Sequence, residues 1–365
     1  MSKTRGNSTH RSALAALPKI ELHRHLEGSL RLSTLREIAI QYKLDLPTRS
    51  IEDLRPYVQV MNDEPNFRNF LEKFNVLRRF YQSPEIIRRL AFEVIEDAAN
   101  DNVRYMELRV TPAALSKTKG YPLAEVTDWV LAAVAEASKK LPSIAVGLLI
   151  SINRHESVEI AEKVTQIAVD RKGKGVVGLD LAGDEANFPA EPFAALFHQA
   201  RAAGLGVVAH AGEWSGPETV RHAIEVLHAQ RIGHGVRVVE DKDVAALARE
   251  RSIGFEVCVT SNVQSGVVQK ITDHPLRDMM YMKLRTTVNT DDPSVSNITL
   301  TDEYEAAVEE LGVSLDDLKS AILTAADCAF LPPPERESLT AQFKLALGLE
   351  PLARAIDQDA KGRRR

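Results

Sequence analysis

Short β-rich apolar runs recur eight times along the chain, with longer helical patterns between most of them. The runs cover residues 19–25, 103–110, 144–152, 176–183, 206–212, 231–235, 254–261 and 284–292. Apolar residues at helical spacing fill 84–100, 123–140, 157–172, 192–203, 217–229 and 241–251. A strand that is followed by a helix and then a strand pairs in parallel through a right-handed crossover. Eight such units predict an α/β chain closed into a (β/α)₈ TIM barrel. Two stretches exceed the simple repeat. Residues 26–102 are far more than one crossover requires, and they carry Phe67, Phe70, Leu71, Phe74 and Leu77 at helical spacing. Residues 301–349 read as further helices, so extra helices are expected after the first strand and at the C-terminus. An open doubly wound sheet is the alternative, but no GxGxxG or GxxxxGK[ST] marks a phosphate loop.

At 365 residues with 44% apolar and 27% charged composition, the chain can bury one large core without staples. No repeat or Pro/Gly/Ser linker divides it. A single barrel domain over 13–350 is expected, with a mobile polar lead-in at 1–12 and a solvated basic tail at 351–365. The two cysteines, Cys258 and Cys328, cannot build a disulfide framework or a four-cysteine zinc site. The net charge of −5 gives no footprint for nucleic acid or anionic lipid. No apolar run approaches the ~20 residues that span a bilayer, and no signal-peptide core follows the basic start. A cytoplasmic protein without nucleic-acid or membrane partners is the expectation.

The chemistry-bearing residues fall at the strand ends. His23 and His25 are two apart in the first strand, so both point to one face. His210 ends the fifth strand in HAGE, His234 ends the sixth in GHG, and Asp291 and Asp292 end the eighth in NTDD. In such a barrel the C-terminal strand ends build the active site, so these groups converge on one mouth. Three imidazoles and an aspartate suit Zn²⁺ with an open position better than Ca²⁺ or Mg²⁺; Fe²⁺, Co²⁺ or Mn²⁺ could take the same ligands. Zinc lowers the pKa of bound water from about 15.7 to about 7, which favours hydrolysis. Each piece alone has a plainer reading: HxH as ordinarily hydrogen-bonded histidines, HAGE as a helix start, TDDP as a loop. Their conjunction, in order and at strand ends, is what carries specificity.

The segments LPKIELHRHLEGSL, VRYMELR, DLAGDE, HAGE, RIGHG, TSNVQSG and NTDDP run in order from Leu17 to Pro293. In these the chain resembles the adenosine deaminase family of metal-dependent hydrolases. The resemblance implies a (β/α)₈ fold with one Zn²⁺ per chain, held by His23, His25, His210 and Asp291. It implies Glu213 as the proton shuttle at purine N1, and His234 as the group that orients the attacking hydroxide. Gly183 would donate its backbone N–H to N3, Asp292 would accept a hydrogen bond from N7, and His25 and Glu27 would join the substrate site. The implied reaction is hydrolytic deamination of adenosine and 2′-deoxyadenosine to inosine and 2′-deoxyinosine plus ammonia, in purine salvage. The partner is then a small purine nucleoside.

One residue departs from the pattern. Many adenosine-specific members carry Asp where this chain has Glu27, and HLEG also resembles relatives acting on free adenine or other 6-aminopurines. The GHG and TSNVQSG segments resemble adenosine deaminases and favour the nucleoside. A non-catalytic zinc-binding barrel is a third reading, disfavoured because a structural metal needs neither Glu213 nor His234. The Phe70, Leu71 and Phe74 stripe reads first as core packing, and by resemblance as a lid over the purine mouth. Trp214 could cover the site or simply pack. His155 reads as structural, and His10, His198, His222, His228 and His274 as surface or packing residues.

Overall fold

The structure, a computed structural model, describes residues 8–61 and 63–349. Eight parallel strands lie in sequential order: β1 Lys19–His25, β2 Val103–Val110, β3 Ala145–Asn153, β4 Val176–Ala182, β5 Gly206–Ala211, β6 Arg231–His234, β7 Gly254–Val257 and β8 Arg285–Val288. The ring closes where β8 meets β1. Asn289 Oδ1 accepts from Leu22 N–H at 2.9 Å, and Glu21 accepts both the backbone N–H (2.9 Å) and the hydroxyl (3.2 Å) of Thr290. His25 N–H then donates to the Asp291 carbonyl, and Asp291 N–H to the His23 carbonyl, both at 2.9 Å. The fold is the expected (β/α)₈ TIM barrel.

The helices between strands start where the sequence signals them. Ser83 caps Pro84–Asn100 by accepting from Ile86 N–H, with proline at the first turn where its missing N–H costs nothing. That helix buries Ile87, Leu90, Val94 and Ile95 against the barrel. The additional helices after β1 are Leu32–Gln41, Ile51–Val58 and Phe67–Leu77, and those after β8 include Leu315–Cys328 and Pro333–Ala346. Among the described residues no helix is long and apolar enough to cross a membrane.

Three boundaries differ from expectation. The seventh strand ends at Val257, and Val259–Gln264 is a helix although its β-branched residues read as strand. The Glu303 carboxylate accepts Thr260 N–H at 3.1 Å and so caps this helix, a tertiary contact that overrides local propensity. The eighth ladder stops at Val288, and Asp291 takes a left-handed conformation (φ 63°) that no ladder continues. The polar lead-in is shorter than residues 1–12, because Ser8–Ala16 is helical. Leu14 is buried, and Arg11 pairs with Asp302 and Glu305. The expected basic tail at 351–365 lies outside the described residues.

Candidate active site

The strand ends deliver the histidines and aspartates to one point. His23 and His25 come from β1, His210 from β5, and Asp291 from the turn after β8. One ligand atom from each lies within 4.8 Å of the others. His25 Nε2 is 3.3 Å from His210 Nε2, and Asp291 Oδ1 is 3.2 Å from His23 Nε2 and 3.4 Å from His25 Nε2. His23 Nε2 is buried without a hydrogen-bond partner. Imidazole nitrogens converging on a carboxylate oxygen, one of them unsatisfied, fit a borderline divalent cation such as zinc.

Three of these four groups are held from behind, as metal ligands require. His23 Nδ1 lies 3.0 Å from Glu256, and His210 Nδ1 lies 3.2 Å from both Asp180 and the Leu181 carbonyl. Asp291 Oδ2 accepts from Ser261 Oγ at 2.7 Å. Arg109 joins the two backing carboxylates, since it hydrogen-bonds Glu256 and lies 3.4 Å from Asp180. Burial opposes ionisation of both acids, yet the surrounding Arg109, Arg231, His23 and His210 hold them well below the ordinary carboxylate range. None of Glu256, Arg109, Asp180 and Ser261 was assigned a role from sequence. Arg109, Asp180 and Ser261 lie inside the quoted VRYMELR, DLAGDE and TSNVQSG segments, the one signal that pointed to them.

Glu213 and His234 stand beside this cluster, with carboxylate and Nε2 3.6 Å apart. Burial, then the Asp291 and Glu185 carboxylates, push the Glu213 carboxyl well above its usual range. The backbone that carries Glu213 is organised by Glu185. Its carboxylate accepts N–H bonds from Gly212 (2.6 Å), Glu213 (3.1 Å), Trp214 (3.0 Å) and Ser215 (3.2 Å), and also the Thr219 hydroxyl. Sequence reading passed over Glu185 because its role lies in backbone groups 27 to 30 residues away.

His234 occupies a left-handed backbone conformation (φ 59°), which aims its ring inward. A donor chain fixes its tautomer. Leu276 N–H donates to His274 Nδ1 at 3.1 Å, so the His274 proton sits on Nε2 and faces Asn262 Oδ1 at 3.1 Å. Asn262 Nδ2 in turn donates to His234 Nδ1 at 3.1 Å. The His234 proton is therefore on Nε2, toward the cleft. Burial drives the His234 pKa well down and keeps the ring neutral. His274, expected at the surface or in packing, is buried and belongs to this chain.

The cleft over the cluster is lined by His25, Glu27, Gly183, Asp292 and Trp214, and by Phe70, Leu71 and Phe74 of the helix Phe67–Leu77. All the expected site and lid residues except His23 line this cleft. Gly183 has φ 91°, which only glycine takes without strain. A Cβ on Gly28 would sit 1.8 Å from the Asp292 carboxylate, so glycine is what lets Asp292 occupy its place. Glu27 Oε1 accepts Thr111 N–H at 3.0 Å, while Glu27 Oε2 and Asp292 Oδ1 are buried with no partner. Trp214 stacks near Phe67, with ring centroids 5.3 Å apart. His155 is exposed, with its ring nitrogen 3.8 Å from Glu156. His198 and His228 stack on each other at 4.7 Å, while His10 and His222 pair with Glu309 and Glu191.

The chain is similar to known proteins. The family model described as adenosine deaminase matches residues 18–344. An adenosine deaminase of Shigella flexneri is 38% identical over 323 residues, covering 88% of this chain and 96% of the relative. An amidohydrolase of Burkholderia ambifaria with bound zinc superposes at a TM-score of 0.85, with 26% identity over 96% of this chain and 97% of its own. An adenine deaminase of Arthrobacter aurescens gives 0.82, with 27% identity over 90% and 98%. Arabidopsis ADAL complexed with IMP gives 0.81, with 26% identity over 92% and 99%.

Proposed function

The chain belongs to the adenosine deaminase family, and from that premise we propose that it hydrolytically deaminates adenosine and 2′-deoxyadenosine, releasing ammonia and the 6-oxo nucleoside. The observation that carries the reading is Glu213, a buried carboxyl with a raised pKa, set beside the His/Asp cluster and held by Glu185. His23, His25, His210 and Asp291 would hold one Zn²⁺, and a bound divalent ion would supply Lewis-acid activation of water. Glu213, whose carboxyl burial and neighbouring carboxylates push well above its usual range, gives its proton to N1, which makes C6 electrophilic. His234, with its proton on Nε2, donates to the incoming oxygen and fixes its approach. Gly183 N–H takes N3. Purine N7 carries no proton, so Asp292 must be the donor in that contact, the reverse of the direction expected from sequence. Phe70, Leu71, Phe74 and Trp214 cover the base and exclude water.

A second reading, deamination of free adenine or another 6-aminopurine, is favoured by Glu27 and by the likeness to the Arthrobacter adenine deaminase. The test is ammonia release from adenosine, 2′-deoxyadenosine and adenine by metal-replete protein, compared as kcat/KM. Adenosine and 2′-deoxyadenosine are expected to lead. A lead for adenine transfers the assignment to the second reading, and silence on all three removes the deaminase reading.

A further inference from the structure

The opposite end of the barrel holds a crevice that the reaction does not use. It opens beside Arg231 and Arg285, the first residues of β6 and β8, away from the strand ends that carry the His/Asp cluster. Its volume is about 440 Å³, the size of a small-ligand site. Its inner wall is closed. A Cβ on Gly206 would come within 2.2 Å of the Phe330 ring, and the Arg231 guanidinium lies 3.6 Å from the centre of that ring.

Five arginines line the crevice: Arg201, Arg231, Arg251, Arg285 and Arg336. Two of them are neutralised. Arg231 pairs with Glu107 and with Glu256 and donates to the Cys328 carbonyl at 2.8 Å, while Arg285 pairs with Asp327. The other acid of the lining, Glu225, stands 3.9 Å from Arg221. Arg201, Arg251 and Arg336 have no carboxylate partner among the described residues. A chain of net charge −5 therefore gathers three uncompensated guanidinium groups in one concavity. Each offers five N–H donors. Arg201 gives one to the His228 carbonyl at 3.2 Å, and the side chains of Arg251 and Arg336 give none to described residues.

Helix C-termini attract cations, which accounts for Arg201 in the last turn of Ala194–Ala202 and for Arg251 at the end of Lys242–Glu250. It does not account for Arg336. That residue is half-buried within the first four positions of Pro333–Ala346, the helix end that repels positive charge. We infer that the crevice binds a small anion carrying two or more phosphoryl groups, held by Arg201, Arg251 and Arg336. One phosphoryl group brings a charge of about −1.5 to −2 at pH 7, so two of them balance three guanidinium groups. The guanidinium fork also matches phosphate oxygens in pairs. This site goes beyond the deaminase reading and does not depend on it.

The experiment is calorimetric titration of the metal-replete full chain at low salt with inorganic pyrophosphate and with uridine 5′-triphosphate, whose base is not a 6-aminopurine. One anion per chain is expected to bind, more weakly as salt is raised. Stronger binding of pyrophosphate identifies a free anion, and stronger binding of the triphosphate a nucleotide tail. In the double variant Arg251→Gln/Arg336→Gln affinity should fall about tenfold or more, and Arg251→Lys/Arg336→Lys should keep part of it. Heat from metal chelation would be the same in the wild type and both double variants, so their difference reports the crevice. The urea midpoint and the rate on adenosine should not change in the glutamine variant, because neither arginine touches the cleft. Absence of binding in the wild type at millimolar anion, or binding that survives the glutamine variant undiminished, overturns the proposal.

Discussion

Asn262 donates its amide N–H to Nδ1 of His234 at 3.1 Å, and this bond sets which nitrogen of His234 enters the cleft as a donor. The proton count is fixed three groups away, at a backbone N–H that can only donate. The chain thus delivers a hydrogen-bond donor to the site without any charged residue in the relay.

Asn262→Asp keeps the volume and removes the donor. The new carboxylate accepts from His234 Nδ1 and leaves Nε2 as an acceptor. Turnover is expected to fall about 10²-fold or more, the usual loss when one preorganised donor is removed. Metal content should be unchanged, and imidazole ¹⁵N spectra should show the proton moved to Nδ1. A full-rate variant with the proton still on Nε2 would dismiss the relay.

Glu213→Gln retains shape and removes the proton. Turnover should drop by at least about 10²-fold while bound metal, measured by elemental analysis, stays constant. Unaltered turnover would take Glu213 out of the reaction.

Glu185→Gln replaces two acceptor oxygens with one, and sets an NH₂ group against backbone N–H groups of 212–215. A loss of about 2–4 kcal/mol in stability is expected from unpaired buried donors, together with lower turnover because Glu213 loses its support. Urea unfolding and steady-state rates measure the two effects. If the unfolding midpoint stays in place, the carboxylate does not organise the loop.

His274 makes stability depend on pH. Burial lowers its pKa to about 3 from the ordinary 6.5, so between those values the unfolded chain takes up a proton that the folded chain refuses. Stability contributed by the neutral ring is complete above about pH 6.5 and declines as pH falls toward 3. Between pH 7 and pH 5 the decline is about 2 kcal/mol. His274→Gln should shrink the pH 7 to pH 5 difference in urea unfolding by that amount, and an unchanged difference would mean that His274 titrates normally.

The architecture and the reactive groups were legible because both leave short-range marks. Short β-rich apolar runs alternate with helical ones, and His25, His210, His234 and Asp291 sit at or near the ends of runs. The supporting groups left none. Glu256 serves His23 across 233 residues, and Asp180 serves His210 across 30, so only the folded barrel pairs them. The helix at Val259–Gln264 was hidden for the same reason, since its cap comes from Glu303.

His23, His25 and Asp291 exchange backbone hydrogen bonds at the point where the first and last strands meet. The clasp of the ring therefore uses three of the four residues that would hold an ion. A chain that ended before residue 291 would lack one of the four groups that would hold the ion. An ion seated there would bolt the two ends of the barrel together, and unfastening either would release the other.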